Sequence, residues 1–345
     1  MTETIETRIN RLHAPGVLDM HFDLLMDLYE KRKRRDVLRD DFQEQLEAGG
    51  IGVIGAAIYL DEQYLPEQGL RIGLDQIVRL YVEVENNPRF AIIKSYEEIG
   101  RAREQNKIAL MITMEGVEPL GTDLNVLRAF YELGVRMIGL THARRNMAAD
   151  GGLFAPTGSL GHGLSDWGRQ LVAELERLGI IVDLAHLNPA GVEDVLAMTK
   201  KPPVFSHTNP RKFFDIERNA GDDHLRAVGA RGGVIGVNAA LVSPDPETTT
   251  LDRYADNIEY VVELAGVDAV GLGFDFFKFI WDQWSPHQQS DMRAYLKHEP
   301  AFIPDLEHHG HARNLTRRLI ERGWNDTDLA KLLYGNWMRV FQELL

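Results

Sequence analysis

The sequence predicts an α/β fold, a single-domain (β/α)₈ TIM barrel, from three observations. Short apolar runs recur eight times along the 345 residues, and segments with helical spacing of apolar residues separate them. Continuous apolar runs are typical of strands buried on both faces of a parallel sheet. Most runs end in a polar residue, and parallel α/β folds carry their functional groups at the C-terminal ends of the strands. Eight such alternations favour a closed barrel over an open sheet.

The eight predicted strands are short runs of Val, Ile, Leu, Ala and Met. The first is brief, because residues 17–18 lead directly into Asp19, His21 and Asp23. In chain order the strands are expected at residues 17–18, 51–60, 108–114, 137–140, 180–184, 203–205, 234–237 and 270–273.

Helices are expected between the strands, because apolar residues recur there at helical spacing. Asn188 and Pro189 supply an N-cap and a proline at the first helical position, and Gly134 and Gly179 are typical helix ends. The most regular helical segments are residues 39–48, 74–85, 124–133, 166–178, 254–264, 312–322 and 326–344.

One domain is expected over residues 1–345, since barrels of this length commonly form a single unit. Residues 276–311 are long, aromatic and irregular in pattern, and we expect them to leave the barrel as an excursion over its mouth. That excursion would serve as a lid or as a contact in a homodimer. Residues 312–345 are predicted to form C-terminal helices.

Composition excludes several classes of partner and site. A formal net charge of −14 argues against nucleic acid and anionic membranes as partners. The absence of cysteine excludes disulfides and thiolate metal sites. The polar N-terminus has no apolar signal core, and no window approaches the roughly 18 apolar residues of a membrane span. We therefore expect a cytoplasmic protein that acts on a small molecule.

The candidate site consists of the polar residues at the predicted strand ends. They are His21, Asp23, Tyr59, Glu115, His142, His186, His207, Asn238 and Asp275. Histidine and carboxylate donors without sulfur suit Zn²⁺, Mn²⁺, Co²⁺ or Fe²⁺, and one carboxylate can bridge two ions. Buried ionisable groups are costly unless they are paired or bind metal. The set therefore predicts a metal site at the C-terminal mouth.

Each residue also has an ordinary structural interpretation when taken alone. His21 and Asp23 would form a hydrogen-bonded pair, Glu115 would cap the turn at Gly116, and Asp275 would accept loop amides. Only the convergence of the whole set on one end of the barrel favours metal binding over these readings.

A series of motifs resembles the membrane (renal) dipeptidase family, peptidase family M19, among the amidohydrolase-like metal-dependent hydrolases. The resemblance extends from about residue 17 to residue 341. The matching pieces are Asp19-Met-His21-Phe-Asp23, Met114-Glu115-Gly116, residues 134–142, 146–150 and 163–186, Ser206-His207-Thr-Asn209, Arg218-Asn219, residues 231–238 and 271–275, Gly335-Asn336 and Arg339-Val-Phe341.

The resemblance implies a ligand set for two Zn²⁺ ions, with Mn²⁺ or Co²⁺ as alternatives. His21 and Asp23 match the ligands of one ion, and His186 and His207 match those of the other. Glu115 matches the carboxylate that bridges both ions and serves catalysis.

The same resemblance implies the catalytic and substrate-binding residues. His142 matches the residue that contacts the substrate carbonyl, Arg218 the residue that binds the substrate carboxylate, and Asp275 the acid/base. Tyr59 and Asn238, at the ends of the second and seventh predicted strands, are expected to line the substrate site. Without the resemblance, Arg218 would be read as a surface ion-pair residue.

The implied activity is hydrolysis of small dipeptides, including those with a C-terminal D-residue, by a hydroxide that bridges two metal ions. Two alternatives stay open: an amidohydrolase that acts on another small amide or lactam, and an inactive protein that binds through its metal site. Phe22, Phe274 and Phe277 stand where the family has smaller or more polar residues, so a changed pocket is expected.

Overall fold

The computed structural model describes residues 3–154, 161–297 and 299–345. Its strands are short, and every strand pair is parallel. The strands are β1 Val17–Phe22, β2 Ile51–Ile58, β3 Phe90–Ile92, β4 Ile108–Glu115, β5 Val135–Gly139, β6 Ile181–Asp183, β7 Phe205–Thr208, β8 Ile235–Val237 and β9 Val270–Leu272.

Eight of these strands form the predicted α/β barrel. Their order is β6-β5-β4-β2-β1-β9-β8-β7, and a parallel bridge between Asp183 and Val204 joins the two ends. The amide of Leu184 donates to the carbonyl of Val204 at 2.7 Å across this closure. Strand β3 was not predicted; it pairs only with β4, off the barrel path, and its three residues are too few to give a clear pattern.

Helices connect the strands and surround the barrel. Gly134 and Gly179, both at positive φ, end their helices, and Asn188 caps the helix that Pro189 begins. The α-helices are α1 Ile5–His13, α2 Leu24–Glu30, α3 Glu44–Gly49, α4 Gly69–Glu85, α5 Tyr96–Glu104, α6 Leu124–Leu133, α7 Asp166–Leu178, α8 Pro189–Met198, α9 Asp222–Ala230, α10 Leu251–Ala265, α11 Lys278–Trp281, α12 Pro286–Leu296, α13 Ala312–Glu321, α14 Asp326–Ala330 and α15 Asn336–Leu344.

Residues 276–311 contain more regular structure than the sequence pattern predicts. This stretch contains α11 and α12, and α12 begins with a capping box between Ser285 and Gln288 and with Pro286 at its first turn. Capping boxes and N-terminal prolines are start signals that the sequence analysis overlooked here. None of the described helices is long and apolar enough to cross a membrane.

Apolar packing fills the N-terminal end of the barrel, and the polar side chains lie at the other end. Leu18, Met20 and Met111 from the strands belong to one buried cluster with Trp337 and Phe341 of α15. The indole N–H of Trp337 also donates to the carbonyl of Leu272. Polar side chains therefore collect at the opposite, C-terminal mouth, as parallel barrels require.

Candidate metal centre and substrate cavity

The strands bring the predicted ligands to one place at the C-terminal mouth. His21 lies near the end of β1, Glu115 ends β4, and His207 lies in β7. His186 follows β6, and Asp275 follows β9. Asp23 lies at the N-cap of α2, and its side chain reaches the same group.

One ligand group forms around His21. Its Nε2 lies 3.7 Å from Asp23 Oδ1, 3.8 Å from Glu115 Oε1 and 3.7 Å from Asp275 Oδ1. Asp23 Oδ1 is buried and has no hydrogen-bond partner in the part of the chain that the structure describes. A buried carboxylate oxygen in that situation is typical of a position that a cation fills.

A second ligand group forms around His186 and His207. Their Nε2 atoms lie 3.0 Å apart. Glu115 Oε1 lies 2.9 Å from His186 Nε2 and 3.4 Å from His207 Nε2. The donors around a tetrahedral zinc are about 3.3 Å from one another, given bonds of about 2.0 Å. Both groups approach that spacing, and Glu115 belongs to both.

Outer contacts fix the orientation of His207. Ser206 Oγ donates to Asp183 Oδ2, and it lies 2.8 Å from His207 Nδ1. Because the hydroxyl hydrogen is used on the carboxylate, Ser206 Oγ accepts the Nδ1–H of His207. The lone pair of His207 therefore sits on Nε2, which faces Glu115 and is free to bind a metal.

The electrostatics of the cluster also fit cations. Burial raises the pKa of Glu115 to about 8 and that of Asp275 to about 6. Burial lowers the pKa of His186 and His207 well below the usual range, so both rings are neutral donors. Burial opposes the charging of His21, but Glu115 and the neighbouring aspartates raise its pKa to about 10. Bound cations would favour the ionised carboxylates and would replace the proton on His21.

Two residues of the site have unusual backbone conformations. His186 and Asp275 adopt φ of 61° and 56°, in the left-handed region. Residues with a Cβ rarely occupy that region, and such strain concentrates at functional sites. The turns after β6 and β9 thus point these two side chains back over the mouth.

Behind His21 lies a buried pair that the sequence analysis missed. His309 Nε2 is 2.7 Å from Asp19 Oδ2, and both side chains are fully buried. Asp19 Oδ1 accepts the amides of Phe274 and His21. The pair therefore links β1, the end of β9 and the turn before α13. Asp19 lies in the first quoted motif, whereas His309 carries no local signal.

Tyr59, His142 and Asn238, which are predicted to bind substrate, lie close to the predicted ligands. Burial lowers the pKa of His142 well below its usual range, and its ring centre lies 4.3 Å from that of His186. The ring of Tyr59 contacts His142 edge-on at 4.9 Å, and burial raises the pKa of its hydroxyl. Asn238 contacts a different member of the site. Its side-chain amide donates to Asp275 Oδ2 at 2.9 Å.

Arg218 is a buried arginine, not a surface ion-pair residue. Its Nη2 donates to the carbonyl of His207 at 3.1 Å. Its Nε and Nη1 are buried and have no hydrogen-bond partner among the described residues. Arg218 lines the same cavity as Glu115, His142 and Asp275, so its unpaired donors are available to an anionic group there.

The family model of the membrane dipeptidases, peptidase family M19, matches residues 6–286 and 298–344. The chain belongs to this family. An uncharacterized dipeptidase of Schizosaccharomyces pombe is 36% identical over 217 residues, which are 61% of this chain and 52% of that protein. Dipeptidase verJ of Clonostachys rogersoniana is 34% identical over 218 residues, which are 63% of this chain and 55% of that protein. The chain spans about half the length of these curated relatives.

The fold of this membrane dipeptidase family member agrees with solved structures. A metallopeptidase from Rhodobacter sphaeroides, solved with a phosphinate mimic of the dipeptide L-Ala-D-Ala, superimposes with a TM-score of 0.83. It is 22% identical, and the match covers 96% of this chain and 99% of that one. The likeness confirms the barrel.

Only one of the three phenylalanines that depart from the family pattern lines the cavity. Phe277 lies on its wall. Phe22 is buried against Phe42, Phe279 and His309, and Phe274 stacks on Phe276. Phe22 and Phe274 therefore do not line this cavity, because both side chains turn into the core behind the site.

Proposed function

We propose that this protein hydrolyses the peptide bond of small dipeptides at a centre of two metal ions, with zinc as the ion. The observation that carries the proposal is Arg218, a buried cation with two unpaired donor atoms in the cavity that also holds the ligand cluster. An arginine in that position pairs with a carboxylate. A dipeptide carries its free carboxylate one residue beyond the scissile bond, which limits the length of the substrate.

The distances within the ligand cluster support an assignment of the residues that would hold the ions. His21 and Asp23 would bind one ion, His186 and His207 the other, and Glu115 both. When bound, two divalent ions supply a water of lowered pKa and polarise the peptide carbonyl. The remaining roles belong to residues of the chain.

His142 and Asp275 would perform the proton and charge chemistry. His142 is half-buried beside the second ligand group, where a ring N–H would stabilise the negative charge that develops on the carbonyl oxygen. Asp275 lies at the first ligand group and accepts the amide of Asn238, so its carboxylate is oriented. It would take the proton of the attacking water and deliver it to the leaving amine. Asn238 thus acts as a positioning residue.

The names of relatives support the same proposal. The S. pombe and C. rogersoniana relatives are called dipeptidases, and the R. sphaeroides structure holds a mimic of L-Ala-D-Ala. That mimic has a D-residue at its C-terminal position, so we include such dipeptides among the proposed substrates.

The test is a panel of L,L- and L,D-dipeptides, the corresponding tripeptides and dipeptide amides, assayed with zinc-loaded protein and with a chelated control. We expect cleavage of the free dipeptides alone, and only with metal, because Arg218 requires a carboxylate at a fixed distance. Equal cleavage of the dipeptide amides would contradict the role of Arg218. Absence of turnover on every dipeptide by protein with two bound ions would overturn the proposal.

A further inference from the structure

A helix that the family model does not match forms part of the cavity wall. The model matches residues 6–286 and 298–344, so residues 287–297, nearly all of α12, lie outside the match. Several specific contacts stabilise this helix. Its capping box joins Ser285 and Gln288, and Arg293 lies 4.9 Å from the ring of Trp281 while it pairs with Glu299 at 2.8 Å. An ordered element outside the family match therefore lies beside the mouth of the barrel.

The helix places an apolar face over the ligand cluster. Met292, Tyr295 and Leu296 line the cavity, whereas Ser290 and Asp291 are exposed. The hydroxyl of Tyr295 lies 3.4 Å from His142 Nδ1, and its ring lies 5.5 Å from that of Phe154. The helix thus reaches the substrate-binding residues directly.

The apolar face of α12 continues onto a second wall. Met26 of α2, Phe277, Ile280 of α11 and Trp284 line the same cavity, which holds about 960 Å³ of empty space including its open mouth. Cavities of this size take small ligands and are typically apolar with a few polar groups that orient the ligand. Here most polar lining groups belong to the ligand cluster and its neighbours, and apolar side chains form most of the remaining wall, which also includes Ser243 and Glu299.

The barrel order separates the second wall from Arg218 around the mouth, because β1 lies three strands away from β7 and β9 lies two strands away. Met26 follows β1, and the segment that contains Phe277 and Ile280 follows β9. Arg218 follows β7 and is tied to the carbonyls of His207 and Leu153, on the side of β5, β6 and β7. A dipeptide with its carboxylate on Arg218 and its carbonyl at the ligand cluster directs its N-terminal residue away from Arg218.

From these relationships we propose that the chamber selects dipeptides whose N-terminal residue carries a bulky apolar side chain, such as Leu, Met or Phe. The inference rests on the proposed dipeptidase function and goes beyond it by naming the substrate class. The subsite consists of Met26, Phe277, Ile280, Trp284, Met292 and Leu296. Desolvation against these side chains favours apolar groups and disfavours charged ones.

The selection should be visible as a ratio of specificity constants. A single methylene group in an apolar pocket changes kcat/KM by roughly 10- to 200-fold, and a Leu or Phe side chain adds several such groups relative to glycine. We therefore expect Leu-Ala and Phe-Ala to exceed Gly-Ala, Asp-Ala and Lys-Ala by at least about 10-fold. The reversed dipeptide Ala-Leu should resemble Gly-Ala, because its bulk lies on the Arg218 side.

The experiment measures kcat/KM for these six dipeptides on the wild-type protein and on three variants of α12. Met292→Glu should reduce the ratio of Leu-Ala to Gly-Ala at least about 10-fold. Met292→Leu, of similar volume, and Ser290→Glu, on the exposed face, should keep the wild-type ratio. Wild-type ratios within about threefold would overturn the inference while leaving the dipeptidase proposal intact. An unchanged ratio in folded Met292→Glu would remove α12 from the subsite. Turnover of no dipeptide would overturn the proposed function and this inference with it.

Discussion

His186 Nε2 and His207 Nε2 lie 3.0 Å apart, and burial keeps both rings neutral by lowering the pKa of each. Ser206 accepts the Nδ1–H of His207, so the Nε2 of that ring carries a lone pair. The carboxylate of Glu115 lies 2.9 Å from His186 Nε2. These three donor atoms, with the lone pair of His207 Nε2 directed at the other two, are spaced as the ligands of one bound cation are.

Glu115 should be required for binding of the full metal complement, because it belongs to both ligand groups. In Glu115→Gln we expect fewer than two bound ions by elemental analysis and a loss of turnover of roughly 10³-fold or more. Glu47→Gln, which changes a surface carboxylate paired with Arg89, should retain both ions and full activity. Two tightly bound ions in folded Glu115→Gln would exclude a bridging role.

Asp275 should be needed for turnover more than for metal retention. Asparagine has nearly the same shape but cannot accept the proton of water, so Asp275→Asn should lose about 10²- to 10⁴-fold in kcat. Asp282→Asn alters an exposed aspartate of the next segment that pairs with Lys278, and it serves as the matched control. Retained ions with near-normal kcat would assign the acid/base role to another group.

Arg218 should set the affinity for the substrate carboxylate. Arg218→Met removes two unpaired donors from the cavity, and we expect kcat/KM for dipeptides to fall about 100-fold, mostly through KM. Lys212→Met removes one positive charge from the exposed part of the same loop and should leave KM unchanged. Preference for dipeptides over tripeptides should decline in Arg218→Met alone.

The Asp19–His309 pair should support both stability and metal affinity. His309→Phe leaves the fully buried carboxylate of Asp19 without its ring partner, which we expect to cost about 3 kcal/mol in the free energy of unfolding. Because Asp19 also holds the end of β1, metal affinity should fall roughly 10- to 100-fold. His287→Phe, at a highly exposed histidine of α12, should change neither quantity. Denaturant unfolding and competition with a chelator measure the two effects.

Protonation of His13 should lower the stability of the protein in mild acid. Burial lowers the pKa of His13 to about 4, and its ring nitrogens contact the carbonyl of Gly49 and the hydroxyl of Thr316. The folded state therefore prefers the neutral ring, and the stabilisation is full above pH 6.5 and is lost progressively as the pH falls towards 4. This loss amounts to about 2 kcal/mol between pH 7 and pH 5.

The test of this prediction compares the free energy of unfolding of the wild type with that of a variant that lacks His13. The free energy of unfolding of the wild type minus that of His13→Gln should fall by this amount from pH 7 to pH 5, when both proteins are measured in the same buffers. The same difference for His287→Gln, at an exposed position, should stay constant. A constant difference for His13→Gln would show that protonation of this ring does not oppose folding.

Much of the fold and of the ligand cluster follows from local sequence signals. Buried parallel strands are continuous apolar runs, so their C-terminal ends, and with them His186, His207 and Glu115, are readable from the chain alone. Strand β3 has too few residues to show a period. The start of α12 carried a signal, Ser285 with Gln288, that the aromatic residues before it obscured.

Other features have no local signal because they depend on tertiary contacts. His309 pairs with Asp19 across 290 positions of the sequence. Phe22 and Phe274 occupy family positions near ligands, but packing turns both side chains into the core. Asn238 reaches Asp275 only because β8 and β9 are neighbours in the barrel. Residues of this kind become visible when the strand order is known.

Titration of chelated, metal-free protein with Zn²⁺ during hydrolysis of a dipeptide tests the central claim most directly. The ligand geometry predicts that the rate is negligible without metal and rises to a plateau at two equivalents of Zn²⁺. Full activity in protein that retains no metal, or two bound ions with no hydrolysis of any dipeptide, would contradict a dinuclear metallodipeptidase.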